Sequence, residues 1–187
     1  MESLRLIHLF FFFLVIGAAS ASDVGEEFIR TSCAKTNFPG LCFRSLSPHA
    51  TAIRTSPTQL VGKALTVALS GARTTSMQLS TMSKTKKGMR EIQAKAMKDC
   101  VENVRTTVEE LRKSIKQMDH LGGQSLGFQI NNMQTWVSAA LTGANTCLDG
   151  FSGKSMDGSL KNEVRVKISH LAKLTSNALA LVNQLVA

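Results

Sequence analysis

Apolar residues recur at helical rather than strand spacing from residue 23 onward, and the breaks between periodic stretches mark out the elements. In residues 23–48, Phe28, Ile29 and Cys33 fall at helical spacing, Pro39-Gly40 interrupts, and Leu41, Cys42, Phe43 and Leu46 resume it. This predicts a small helical hairpin turning near Asn37 and Phe38. Four longer helices follow. The first starts at Ser56-Pro57, a cap residue followed by Pro in the first turn, and runs to about Met82. In the second, Met97, Val101, Val104, Val108, Leu111, Ile115 and Met118 repeat with alternating gaps of four and three. Such a heptad seam asks for partner helices at a shallow crossing angle. Gly122-Gly123 and Gly127 punctuate the next turn. The third helix places Met133, Trp136, Val137, Ala140, Leu141, Ala144 and Leu148 along one side, and Gly150, Gly153 and Gly158 end it and form the following loop. The fourth runs from about Ser159 to Val186 on a seam of Val164, Ile168, Leu171, Thr175, Ala178, Val182 and Leu185. No strand pattern of any length is present. The expectation is an all-α, up-down-up-down four-helix bundle over residues 56–187, preceded by the hairpin over residues 22–55.

Residues 1–21 read differently. Arg5 gives a positive start, Leu9 to Ala19 form an apolar run of eleven, and Ala19-Ser20-Ala21 is a small-x-small cleavage site. The run is too short for a bilayer core of roughly 30 Å, which needs about 20 apolar residues. A signal peptide is expected, with Ser22 opening the mature chain and secretion as its fate. The leader holds one acid and one base, Glu2 and Arg5, so the net charge of +9 survives its removal.

An exported chain with four cysteines is expected to pair them. Three connectivities exist in principle, and position selects among them. Cys33 and Cys42 stand almost equally far from the hairpin turn, so pairing them staples it. Cys100 and Cys147 lie almost equally far from a turn near residue 123 on consecutive antiparallel helices. They therefore sit at one height, as a disulfide requires.

The charge of +9 suits nucleic acid, an acidic membrane or an acidic polysaccharide. Export and the absence of Tyr argue against nucleic acid. Lys84, Lys86, Lys87 and Arg90 cluster near one helix junction and are the candidates for an acidic-polysaccharide site; the plainer reading is that basic residues solvate helix faces. On the second helix, Glu109 stands four residues before Lys113, an attractive spacing.

Catalytic chemistry is missing. His49, His120 and His170 are the histidines beyond the leader, none at metal-ligand spacing with another His, Cys or carboxylate. There is no Gly-x-Ser-x-Gly elbow, no His-Glu-x-x-His and no phosphate-cradling Gly loop. Asp119-His120 sits at a helix end, where a His helps satisfy terminal carbonyls. Glu109 and Glu110 are adjacent and point to different faces. Neither catalytic residues nor a metal or cofactor is expected, and Asn-x-Ser/Thr glycosylation is not expected either.

Several blocks now carry a resemblance. Phe28-Ile29-Arg30-Thr31-Ser32-Cys33 with Phe38-Pro39-Gly40-Leu41-Cys42 resembles the amino-terminal hairpin of the plant invertase and pectin methylesterase inhibitor family. Asp99-Cys100-Val101-Glu102 through Val108-Glu109-Glu110-Leu111 looks like that family's second bundle helix, and Thr135-Trp136-Val137 through Leu148-Asp149-Gly150-Phe151 like its third. Leu174-Thr175-Ser176-Asn177-Ala178-Leu179-Ala180-Leu181-Val182 resembles its last. The resemblance implies a four-helix bundle with an amino-terminal hairpin and the same two disulfides, Cys33–Cys42 and Cys100–Cys147. It also implies a non-catalytic, reversible inhibitor of a cell-wall enzyme, placed in the apoplast.

The Thr135–Phe151 blocks look like the pectin methylesterase branch, and the Pro-Lys-Phe element of invertase inhibitors is absent, the prolines being Pro39, Pro48 and Pro57. The same blocks occur in pro-regions of pectin methylesterases, but a free-standing inhibitor is the expectation here. The favoured partner is plant pectin methylesterase at one-to-one stoichiometry, with acid invertase as the alternative and direct pectate binding without an enzyme as a third reading. In that branch a broad face covers the enzyme's pectin cleft, which carries over to Glu102, Glu109, Thr146 and Asp149 as interface residues. The plainer reading is that the glutamates are solvated flank charges and Asp149 closes a helix. Two departures stand out: Val104 replaces a usual aromatic, and Thr106 a usual acid. Interface carboxylates would make binding sensitive to pH, in a direction the sequence leaves open.

Overall fold

A computed structural model describes residues 21–153, 156 and 158–185. The expected signal peptide therefore lies outside the described residues, Ala21 excepted. Every regular element among those residues is helical. Three short helices come first: α1 (Ala21–Cys33), α2 (Pro39–Leu46) and α3 (Ala50–Ile53), the last entered through a 3-10 turn at Ser47–His49. Four long ones follow: α4 (Pro57–Thr85), α5 (Glu91–Met118), α6 (Leu126–Gly150) and α7 (Ser159–Asn183). Each long helix packs against its chain neighbours, and α4 against α7 closes the ring. This is the four-helix bundle with an amino-terminal hairpin expected from the sequence. The hairpin has one more turn of structure than predicted, because α3 packs against α1. No described helix is long and apolar enough to cross a membrane.

Local chemistry explains the element ends. Ser56 caps α4, its hydroxyl accepting from the Gln59 N–H at 3.3 Å, with Pro57 in the first turn. Gln93 accepts the Arg90 N–H at 3.0 Å and starts α5. The α5–α6 turn needs φ of +142° at Gly122 and +69° at Gly123, values that disfavour a side chain. Gln129 then accepts the Gly122 N–H at 2.8 Å and fastens the turn to α6. Gly127, expected in that turn, lies instead in the first turn of α6, since the backbone reversal is already complete at Gly123. The fourth helix ends at Asn183; Val186 lies outside the described residues.

The core differs from the predicted seam in an informative way. On α5, Met97, Val104, Val108 and Leu111 are buried, but Val101, Ile115 and Met118 are only half-buried. Thr107 and Ser114 are fully buried in addition. The buried face is rotated toward α6, and hydroxyls are tolerated there because their hydrogen bonds are met. Thr107 Oγ1 lies 3.0 Å from both the Asn103 and the Ala140 carbonyl oxygens, and Ser114 Oγ donates to the Glu110 carbonyl at 3.0 Å. The helices approach so closely because α6 offers Ala140, Gly143 and Ala144 at the contact. A Cβ on Gly143 would stand 2.9 Å from Thr107 Oγ1 and 3.0 Å from the Asn103 carbonyl oxygen. Along the same line runs the Cys100–Cys147 disulfide, with Cα atoms 4.6 Å apart.

At the other end, side chains of Ser176, Asn177 and Gln184 dock the hairpin on the carboxy-terminal part of α7 and its cap. Asn177 accepts the Phe38 N–H and donates to the Phe38 carbonyl, both at 3.0 Å, while Asn37 donates to Ser176 Oγ at 2.9 Å. The Cys33–Cys42 disulfide, with Cα atoms 5.6 Å apart, closes the turn that Asn177 holds.

Two stability predictions follow from these contacts. Asn177→Ala strands the Phe38 N–H, while the Phe38 carbonyl keeps the Cys42 N–H at 2.9 Å, a loss of about 1–3 kcal/mol. Urea denaturation should show it as a lowered midpoint with unchanged slope; a change under about 0.5 kcal/mol would mean that water replaces the clamp. For Gly143→Ala, helix propensity favours alanine by about 1 kcal/mol, but overpacking against a backbone oxygen costs about 1–3 kcal/mol. The expected outcome is net destabilisation of about 1 kcal/mol; a stabilised variant would show that α5 and α6 can part freely.

Candidate protein-interaction surface

Two grooves flank the amino-terminal half of α5. One, against α4, is lined by Ser80, Ser83, Lys84, Lys98, Glu102 and Arg105 among others. The second, against α6, includes Asn103, Thr146, Asp149 and the Cys100–Cys147 disulfide. Asp99 stands on the ridge between them and lines both. Both are open troughs between helices.

The structure brings Thr146 and Asp149 together in the α5/α6 groove and sets Glu102 beyond the Asp99 ridge, in the α4/α5 groove; Glu109, further along α5, lines neither. Thr146 is exposed and its hydroxyl donates to the Thr142 carbonyl at 2.9 Å. Asp149 is exposed in the last turn of α6, and its backbone carbonyl accepts from Ser152 Oγ at 2.7 Å. Its carboxylate is in no ion pair among the described residues, and the same holds for Asp99.

The glutamates of α5 are differently placed. Arg105 reaches Glu102 at 3.1 Å, Arg112 reaches Glu109 at 2.6 Å, and Lys113 reaches Glu110 at 2.7 Å. The expected Glu109–Lys113 pair is therefore replaced by a set of bonds three residues apart, because Arg112 and Glu110 capture the two ends first. Exposed pairs of this kind contribute only about 0–1 kcal/mol each, but they cancel charge. The outer face of α5 alternates in sign, whereas the carboxylates lining the α5/α6 groove, Asp99 and Asp149, are in no ion pair among the described residues. Asp99 is not among the interface residues expected from the sequence. Its neighbour Cys100 was the available signal, since a residue beside an interhelical disulfide must lie near the seam's rim.

The basic junction is also altered by its neighbours. Lys86 is ion-paired with Glu163 of α7, Lys84 shares its groove with Asp99 and Glu102, and Arg90 opens α5. Lys87 is exposed. No group of three or more His, Cys, Asp or Glu side chains among the described residues could hold a metal ion.

Comparison with known proteins gives the surface its context. Residues 27–181 match the family described as plant invertase/pectin methylesterase inhibitor. The chain is 40% identical over 177 residues to the 21 kDa protein of Daucus carota, covering 93% of this chain and 91% of that one. It is 43% identical over 173 residues to pectinesterase inhibitor 11 of Arabidopsis thaliana, covering 89% and 84%. A crystal structure of mutant form A of a pectin methylesterase inhibitor from Arabidopsis shares the fold, with a TM-score of 0.64 at 24% identity, covering 83% of this chain and 95% of that one. Matched from the hairpin through the last bundle helix, this chain belongs to the plant invertase/pectin methylesterase inhibitor family.

Proposed function

We propose that the chain is a secreted, reversible protein inhibitor of pectin methylesterase that acts in the plant cell wall. The observation that carries this reading is the 43% identity to a pectinesterase inhibitor along nearly the whole chain. The chain is not an enzyme, since its family is one of inhibitors. Inhibition is by cover: one face of the α5/α6 half of the bundle lies over the enzyme's pectin-binding cleft, one inhibitor per enzyme.

Within that face, Asp149 and Thr146 make the principal contacts, with Asp99 as a third, because their groove holds carboxylates not committed to an ion pair. Glu102 and Glu109 sit toward the edge, where each must share its arginine with any partner. Rim charges of this kind act on encounter rate and salt dependence more than on affinity. The leader of residues 1–21 supports delivery to the apoplast, and the two disulfides suit an oxidising compartment.

The test is a pair of titrations of residues 22–187 against plant pectin methylesterase and acid invertase. Saturable loss of methylesterase activity near one-to-one stoichiometry, with invertase unaffected, is the expected result; inhibition of invertase alone would overturn it. Among variants, Asp149→Ala should raise the inhibition constant about 5- to 30-fold, the range of a 1–2 kcal/mol contact. Glu102→Gln should raise it less than about fivefold. The reverse ranking would place the interface on the α4 side of the Asp99 ridge.

A further inference from the structure

The outward surface of α7 carries chemistry that inhibition through α5 and α6 leaves unused. Along α7 lie Lys161, Arg165, Lys167, His170 and Lys173, against one carboxylate, Glu163, which is paired with Lys86. Asn162, Arg165, Val166, Ser169, His170 and Lys173 line a shallow depression with no carboxylate on its walls. Both grooves beside α5 contain two. Neither Arg165 nor Lys173 is ion-paired among the described residues; Lys173 stands over the Phe38 ring at 5.5 Å. Eight residues of helix separate these two cations, about 12 Å. Between them Val166 is 71% exposed, an apolar spot flanked by the amide of Asn162 and the hydroxyl of Ser169.

We propose that this face of α7 binds a linear acidic polysaccharide. The cations are strung along a helix rather than converging on a point, which suits a polymer with repeated carboxylates better than a single small anion. Val166 offers an apolar contact for the carbon–hydrogen face of a sugar ring, and Asn162 and Ser169 can bond its hydroxyls. No Phe, Tyr or Trp side chain lines the depression as a stacking platform for bases. The choice of a polysaccharide rests on the proposed function: removing methyl esters from pectin leaves free carboxylates, so this surface would hold the inhibitor where the enzyme has already acted. In the ring of helices α7 lies diagonally across from α5, so polymer and enzyme meet different faces. The junction of Lys84, Lys86, Lys87 and Arg90 is the poorer candidate, because Lys86 is already neutralised by Glu163.

The experiment is retention of the chain without its leader on immobilised polygalacturonate, across a salt series. Retention is expected at low salt, weakening as salt rises, at least fivefold weaker for Arg165→Gln/Lys173→Gln, and unchanged for Lys84→Gln/Lys87→Gln. Fully methyl-esterified pectin should retain it little. The proposal is overturned if the wild-type chain is not retained, or if the α7 variant, folded by circular dichroism, binds as the wild type does. Equal binding per charge to DNA or to anionic vesicles would also overturn it, marking a mere polycation. Methylesterase inhibition measured on the same samples separates the two readings. A wild-type chain that inhibits but is not retained on the polymer removes this proposal alone, whereas a wild-type chain that is retained but does not inhibit removes the functional reading and leaves the site on α7.

Discussion

The close contact of α5 with α6 is the constraint on which the candidate surface depends. Gly143 leaves no side chain where one would meet Thr107 and the Asn103 carbonyl, and the Thr107 hydroxyl bonds the Ala140 carbonyl across the gap. The Cys100–Cys147 disulfide then fixes the height of one helix on the other. With the axes this near, groups beside the seam cannot turn inward. Asp99, Asn103, Thr146 and Asp149 are therefore displayed along an open trough rather than buried in a pocket. A small residue at one position and a covalent bond at another give a surface whose spacing does not depend on loops.

The hairpin is held by a different kind of bond at the opposite end. Asn177 imitates a strand partner, presenting one donor and one acceptor to the Phe38 backbone. A buried amide satisfied on both sides is directional in a way that apolar packing is not. It sets the hairpin in one place on α7 and leaves the trough between α5 and α6 unobstructed. The disulfide of the hairpin reduces the closure entropy that would otherwise oppose the clamp.

Charge is divided among the faces. α5 carries acids and bases in nearly equal measure, joined three residues apart into pairs that cancel one another. The excess of positive charge falls elsewhere, including α7, whose one carboxylate is taken by Lys86. A net charge of +9 is thus a poor guide to any single face of this molecule. The α5/α6 trough has two carboxylates in no ion pair among the described residues, while the depression on α7 is lined by cations and no acid.

Helical periodicity, the glycine and proline breaks and the capping residue at Ser56 were sufficient by themselves to determine the class of fold, the number of long helices and their order. These depend on interactions between residues a few positions apart, which a linear pattern records directly. Which face of α5 turns inward was decided only in three dimensions. Val101 and Ile115 continue the apolar repeat, yet Thr107 and Ser114 took the deeper places, because a hydroxyl whose hydrogen bonds are met costs little and the small residues of α6 drew the helix round. The same rotation parted Glu102 from Thr146 and Asp149 across the Asp99 ridge. Ion pairing was likewise settled by competition, with Arg112 and Glu110 standing within reach before Glu109 and Lys113 could meet. Long-range geometry chooses between neighbours that a sequence treats as equivalent, and both the surface and its charge depend on that choice.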